Sequence, residues 1–234
     1  MPRLLHLLVS SVMVTSGLAA PAARGTQTRA DAPSDTAFYA VSYVEVMPSS
    51  RPMAIAALKL YRDASRKDDG HGRFELFEQV GRPGHFASVE TWRDQKTFDA
   101  HGAAAQKQLL DMLKPIRVSD YDQRPYKTLT VGSAPPVANG RAIFVITHVD
   151  VTPDQKVPPL LKRLAEMSRQ DEGNARFDVL QHTMRANHFT VIETWQSQKA
   201  LDVHIAAAHT RAYRDELQPM TGSPLDERVY KAVD

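Results

Sequence analysis

The chain writes one passage twice. HFASVETWRDQKTFDAHGAAAQ starts at His85 and HFTVIETWQSQKALDVHIAAAH starts at His188, an offset of 103 positions. At that offset Glu90-Thr91-Trp92 falls on Glu193-Thr194-Trp195, Gln95-Lys96 on Gln198-Lys199, and Asp99 and His101 on Asp202 and His204. With small gaps the match extends outward. Phe38 to Val46 falls on Ile143 to Val151, Gly70 and Arg73-Phe74 on Gly173 and Arg176-Phe177, and Asp122 to Lys127 on Asp226 to Lys231. A match of this extent is a duplication, which restricts the chain to folds built from two similar units of about 100 residues. The copies differ at the last position of the repeated passage, where Gln106 stands in the first and His209 in the second.

Both copies predict the same order of elements. FYAVSYVEV and AIFVITHVDV are rich in β-branched and aromatic residues and predict first strands, each followed by proline and a helical pattern. The first helix is expected over Arg51 to Arg66, with Ile55, Leu58 and Tyr61 at helical spacing, and its counterpart over Val157 to Gln170, with Pro158 in the first turn. RFELFEQV and RFDVLQHT are second strands, turned by RPG and RAN into third strands. Asp94 and Ser197 are placed to cap the second helices, and RPYKTLTV and ERVYKAVD close the copies as fourth strands. Strand, helix, strand, strand, helix, strand is the ferredoxin-like order, so the fold class is α+β.

A four-stranded sheet covered by helices on one side leaves its other face in water. Here both parities of the first strand are apolar or aromatic, with Ala40 and Val44 on one side and Tyr39, Val41 and Tyr43 on the other. The second face therefore needs a partner, and the other copy supplies it. Two tandem ferredoxin-like repeats are expected to pack sheet to sheet as an internal pseudo-dimeric barrel, with further oligomerisation left open. The copies span 38–131 and 141–234, and GSAPPVANG at 132–140 is the linker.

Ahead of them, residues 1–23 carry Arg3, an apolar run and the Ala20-Pro21-Ala22 site expected of a secretory signal peptide. Residues 24–37 are a polar lead-in, and the mature protein is expected to be periplasmic or secreted, without a membrane span. A net charge of +2 from 29 basic and 27 acidic residues offers no footprint for nucleic acid or anionic lipid. The lack of cysteine excludes disulfides, thiolate nucleophiles and iron-sulfur ligation. GHGR at Gly70 precedes a strand rather than opening a helix, so it is no dinucleotide loop, and no G-x-S-x-G occurs.

The run from Glu193 to Tyr213, E-T-W followed by A-L-D-x-H-I-A-A-A-H-T-R-A-Y, resembles the antibiotic biosynthesis monooxygenase domains of the dimeric α+β barrel family. The second copy matches from Ile143 to Val233 and the first from Phe38 to Val131, lacking the second histidine at Gln106. The resemblance implies a pocket between sheet and helices in each copy. It also implies substrates that are polyaromatic, quinol-like or haem, oxidised with molecular oxygen and without flavin or metal. The haem-degrading branch has an Asn on the first strand and a Trp and a His on the second helix. Ser42 or Thr147, His101 or His204, and the neighbourhood of Asp111 or Arg214 stand there instead, which disfavours haem degradation.

Oxygenation without a cofactor needs a base to deprotonate a phenol or activated carbon, donors for the developing oxyanion and a mostly dry pocket. His204 and His209 are the first candidates for the base, with His101 in the other copy; anchoring of the helix is the structural alternative for His101 and His204. Five residues along a continuous helix turn a side chain by about 140°, so His204 and His209 share no metal unless the helix breaks between them, and no metal site is expected. Glu90 and Glu193 share strand faces with Trp92 and Trp195. Each glutamate is an acid or base of raised pKa or, more commonly, a partner of Arg73 or Arg176 across the sheet. Tyr43 and His148 occupy equivalent positions, lining either the pocket or the interface between sheets. Thr147, Tyr213, Trp92 and Trp195 complete the candidate lining, with core packing the plainer role for the tryptophans. The function expected is cofactor-independent oxidation of a small aromatic molecule by molecular oxygen; the alternatives are a non-catalytic ligand-binding or stress-response module and a structural duplicate serving a protein partner.

Overall fold

A computed structural model of the chain describes residues 36–135 and 141–233. The expected signal peptide, most of the lead-in and residues 136–140 of the linker lie outside the described residues. The first copy contributes β1 (Phe38–Glu45), α1 (Arg51–Ser65), β2 (His71–Gln79), β3 (His85–Trp92), α2 (Gln95–Leu113) and β4 (Asp122–Thr130). The second contributes β5 (Ile143–Asp150), α3 (Val157–Ser168), β6 (Asn174–His182), β7 (His188–Trp195), α4 (Gln198–Ala206), α5 (Ala208–Leu217) and β8 (Asp226–Ala232).

The eight strands close into one barrel in the order β1-β3-β2-β8-β5-β7-β6-β4. Each fourth strand does two jobs: β4 pairs with β1 of its own copy and β6 of the other, and β8 pairs with β5 and with β2. The copies are thus joined edge to edge by backbone hydrogen bonds as well as face to face, and the barrel has no free edge.

The period of two along β1 and β5 sorts side chains between two environments. Tyr39, Val41 and Tyr43 join Phe77, Val89, Tyr126, Ile146, Leu180, Ile192 and Tyr230 in a core inside the barrel that both copies share. The alternate residues pack under the helices, Val44 beneath α1 and α2 in the first copy, and Val145 and Val149 beneath α3 and α5 in the second.

Two local features depart from the sequence pattern. A register shift between His71 and Arg73 sets Arg73 opposite Thr91 and Phe74 opposite Glu90, and the same shift between Asn174 and Arg176 sets Arg176 opposite Thr194. One bulged residue exchanges the two faces of a strand. The expected pairing of Glu90 or Glu193 with Arg73 or Arg176 is therefore incorrect: the arginines face the barrel interior and the glutamates face the helices. Arg176, buried, donates instead to Asp178 at 2.5 Å and across the copy boundary to Glu75 at 2.6 Å. Asp178 also accepts from the Gly132 N–H.

The second feature is in the helices. Asp94 accepts from the Thr97 N–H in a reciprocal capping box and Ser197 accepts from the Ala200 N–H, so both second helices start as expected. In the first copy α2 runs unbroken, but in the second the helix stops at Ala207, whose ψ of 148° is extended, and restarts as α5. Arg211 donates to the Ala206 carbonyl left without a helical partner there. The repeated glycines precede second strands at φ 82°. A Cβ on Gly173 would lie 2.6 Å from that of Ala200 and one on Gly70 would lie 2.7 Å from Thr97, so each turn fits only against the helix start when it carries glycine.

Arg176→Ala leaves the buried Asp178 carboxylate without its cation and Glu75 with only the longer contact to Arg73. It is expected to destabilise the fold by about 3–5 kcal/mol, measured as a lower midpoint in urea unfolding.

Candidate functional site

In the second copy Glu193 projects from β7 toward the helices, and its Oε2 accepts a hydrogen bond from Trp195 Nε1 at 2.8 Å. With no arginine opposite, burial dominates and raises the carboxyl pKa to about 8, so Glu193 is mostly neutral at pH 7. His204, buried on α4, stacks on the Trp195 ring with centroids 4.6 Å apart. Its Nδ1 pairs with Asp171 Oδ2 at 2.7 Å and its Nε2 lies 3.9 Å from Glu193 Oε2. Burial pulls the His204 pKa down against the opposing pull of Asp171, which leaves the neutral imidazole available as a proton acceptor. Asp171 sits on the turn before β6, two residues ahead of Gly173, so the constrained glycine turn delivers the carboxylate to the imidazole.

A cavity of about 30 Å³ lies among these groups, bordered by Glu193, His204, Thr147, Thr210, Tyr213 and Phe177. The Thr147 hydroxyl is buried without a partner, and the Tyr213 phenol is pushed up by burial and by Glu193. Arg214 and Glu227, 3.2 Å apart, stand at the rim. That volume admits a water or a dioxygen molecule, not an aromatic ring.

The first copy repeats the polar frame with larger side chains around it. Trp92 donates to Glu90 at 3.2 Å, burial raises Glu90 to about 8, and His101 Nδ1 pairs with Asp68. His101 Nε2 is taken by the Ser65 hydroxyl at 3.1 Å. Where the second copy has Leu164 and Leu225, the first has Tyr61 and Tyr121. Tyr61 packs edge-on against Phe74, and burial, reinforced by the nearby Glu90 carboxyl, raises both phenols.

The sequence-derived candidates divide accordingly. His204, Thr147 and Tyr213 meet at the cavity, and Trp195 supports it from behind. His101 and Trp92 form the equivalent stack in the first copy, 4.8 Å between centroids. Tyr43 and His148 are not in the pocket: they face the barrel interior, where the Tyr43 hydroxyl lies 2.6 Å from His148 Nε2 and His148 Nδ1 2.9 Å from the Thr190 hydroxyl. Their strand parity puts them on the face opposite Thr147. His209 reaches Asp171, its Nε2 3.2 Å from Oδ2, because the helix break at Ala207 turns it back. The two histidines, expected to share no face unless the helix breaks between them, meet because it does break. Sequence reasoning missed Asp68 and Asp171, although the offset of 103 aligns them and both stand two residues before a repeated glycine.

A second cavity, of about 430 Å³, opens at one mouth of the barrel, between Tyr39, His71, Trp92 and Arg73 of the first copy and Arg176 and Asp178 of the second. Its volume is in the range of small-molecule sites.

The family model described as antibiotic biosynthesis monooxygenase matches residues 37–108 and again 142–216. The chain belongs to this family and carries its domain twice. The Bacillus subtilis protein named "Putative monooxygenase YcnE" is 27% identical over 86 residues, covering 36% of this chain and 90% of its own length, which is one copy. A solved structure of the same designation from Fusobacterium nucleatum superposes with a TM-score of 0.76 at 15% identity, covering 85% of this chain and 93% of the other. One of an anthrone oxidase-like protein does so at 0.67 and 15% identity, covering 87% and 94%. At those identities the superpositions establish the whole two-copy fold.

The raised Glu90 carboxyl has a measurable consequence. Between the ordinary carboxyl pKa of 4.5 and about 8 the unfolded chain has released this proton while the folded chain retains it, so stability falls as pH rises through that window. Glu90→Gln removes one such contribution. Its unfolding free energy, measured in urea at about pH 5 and about pH 8.5, is expected to decline less with pH than that of the wild type.

Proposed function

We propose that the second copy is the active one and that it oxidises a quinol-type or polyaromatic molecule carrying an acidic C–H or phenolic O–H with molecular oxygen, without an organic cofactor. Three things support this reading: membership in the antibiotic biosynthesis monooxygenase family, the convergence of a neutral imidazole and a raised carboxyl on one cavity, and the bulkier buried Tyr61 and Tyr121 at the positions that Leu164 and Leu225 occupy in the second copy.

For an activated methylene the balance is one methylene and one dioxygen giving one ketone and one water. His204 Nε2 takes a proton, and the carbanion passes one electron to oxygen. Recombination forms the C–O bond of a peroxide anion, which takes the proton back from His204 to become the hydroperoxide. His204 then accepts the second C–H proton as the O–O bond breaks to give the ketone; the neutral Glu193 carboxyl supplies a proton to the departing hydroxide, giving water, and regains one from the imidazolium. Asp171 orients the imidazole and stabilises its protonated form. The ring of the substrate enters when α5 moves away from the sheet and the Arg214–Glu227 contact at the rim opens. The leader-like N-terminus supports an activity exercised outside the cytoplasm.

A second reading, a binding module without turnover, is favoured by the 430 Å³ cavity at the barrel mouth, which has room for a ring without any movement.

Oxygen uptake by the metal-stripped protein against hydroquinones, naphthoquinols and anthrones, corrected for autoxidation, separates the two. The oxidase reading expects saturable uptake whose kcat/KM drops by about 100- to 10,000-fold in His204→Ala and is unchanged in His101→Ala. Uptake lost in His101→Ala but kept in His204→Ala would place the chemistry in the wrong copy, and flat traces with retained aromatic binding favour the module. Leu164→Tyr, which installs the residue of the first copy, is expected to abolish uptake while leaving the thermal midpoint within a few degrees of the wild type.

A further inference from the structure

Asp171, His204 and His209 converge at the break between α4 and α5, and their ligand atoms lie within 4.8 Å of one another. One oxygen of Asp171 is 2.7 Å from His204 Nδ1 and 3.2 Å from His209 Nε2. His209 Nε2 is shut off from solvent and meets Asp171 at an angle that makes no hydrogen bond, so a buried nitrogen is left without a partner. The side chains of His204 and His209 are 5% and 11% exposed and that of Asp171 21%, so the group is sheltered without being sealed. His209 also borders a groove of about 280 Å³ beside α3 and α5.

We infer that Asp171, His204 and His209 form a three-ligand site for one divalent transition-metal ion of the zinc class, present in the second copy only. Two imidazoles and one carboxylate are the donor set such ions take, whereas magnesium and calcium require oxygen ligands. Neighbouring donors on a tetrahedral ion with bonds of about 2.0–2.1 Å stand about 3.3 Å apart, so the His209–Asp171 spacing already fits and the His204–Asp171 spacing opens by about half an ångström. The first copy cannot form the site. Gln106 replaces His209 and its amide donates to Gln123 Oε1 at 2.9 Å, on a helix that does not break. A cation on His204 Nδ1 leaves the ring proton on Nε2, so the imidazole then faces Glu193 as a donor. The site needs no substrate and its test reads binding alone; while an ion occupies it, His204 Nε2 is protonated and cannot serve as the base of the proposed oxidation.

The test uses the untagged chain, stripped with EDTA and titrated with Co2+ and Zn2+. One equivalent of Co2+ is expected to produce visible d–d absorption, displaced by Zn2+ and indifferent to Mg2+. Zn2+ is expected to raise the thermal midpoint. His209→Gln, the residue of the first copy, and Asp171→Asn are each expected to weaken binding by at least on the order of 100-fold and to lose that rise, while keeping the wild-type circular dichroism. His101→Gln is expected to leave the stoichiometry at one. Absence of saturable Co2+ or Zn2+ binding, or binding unchanged in a folded His209→Gln variant, overturns the site whatever the oxygen-uptake assay shows.

Discussion

Closure of the barrel is the constraint on which the rest depends. Each copy makes a sheet with two apolar faces, and helices cover only one of them. The inner face, with Tyr39, Val41 and Tyr43 on one side and Ile146, Leu180 and Ile192 on the other, is dry only because the copies enclose it together. Covalent linkage removes the concentration dependence that a dimer of single copies would have. The fourth strands then hydrogen-bond to the other copy's second strand, and the buried Arg176–Glu75 contact ties the interiors together.

Fusion also frees one copy to diverge. In a symmetric dimer every change in a pocket happens twice, whereas here the two pockets evolve separately inside one framework. Both keep the glutamate held by a tryptophan indole and the imidazole held by an aspartate. What separates them is volume. Tyr61 and Tyr121 bring two buried phenols to the first pocket, while Leu164 and Leu225 border a cavity in the second and relieve Glu193 of phenolic neighbours at those positions.

The duplication made the fold legible, because strand alternation and helix caps could be read twice and checked against each other. It also aligned His101 with His204 and exposed the loss at Gln106. Two events were not legible. The bulges fall at Gly72 in the first copy and at Ala175 in the second, so no residue type common to both copies marks them, and a single residue reverses which side chains face the helices. The helix break at Ala207 falls within a run of alanines, where propensity argues for continuity. Tertiary packing decides both, and both determine the site: one separates Glu193 from Arg176, the other brings His209 to Asp171.

These two departures from local preference share a physical logic. A glutamate facing arginine would be a fixed anion; Glu193, facing Trp195 and the underside of helices, carries a proton that it can give up. A histidine on a continuous helix would point away from its predecessor; past the break it returns to the same carboxylate. The groups with the greatest chemical potential in this chain are therefore those whose partners were withheld by a bulge or a broken turn, inside a barrel whose shared core is large enough to hold both irregularities in place.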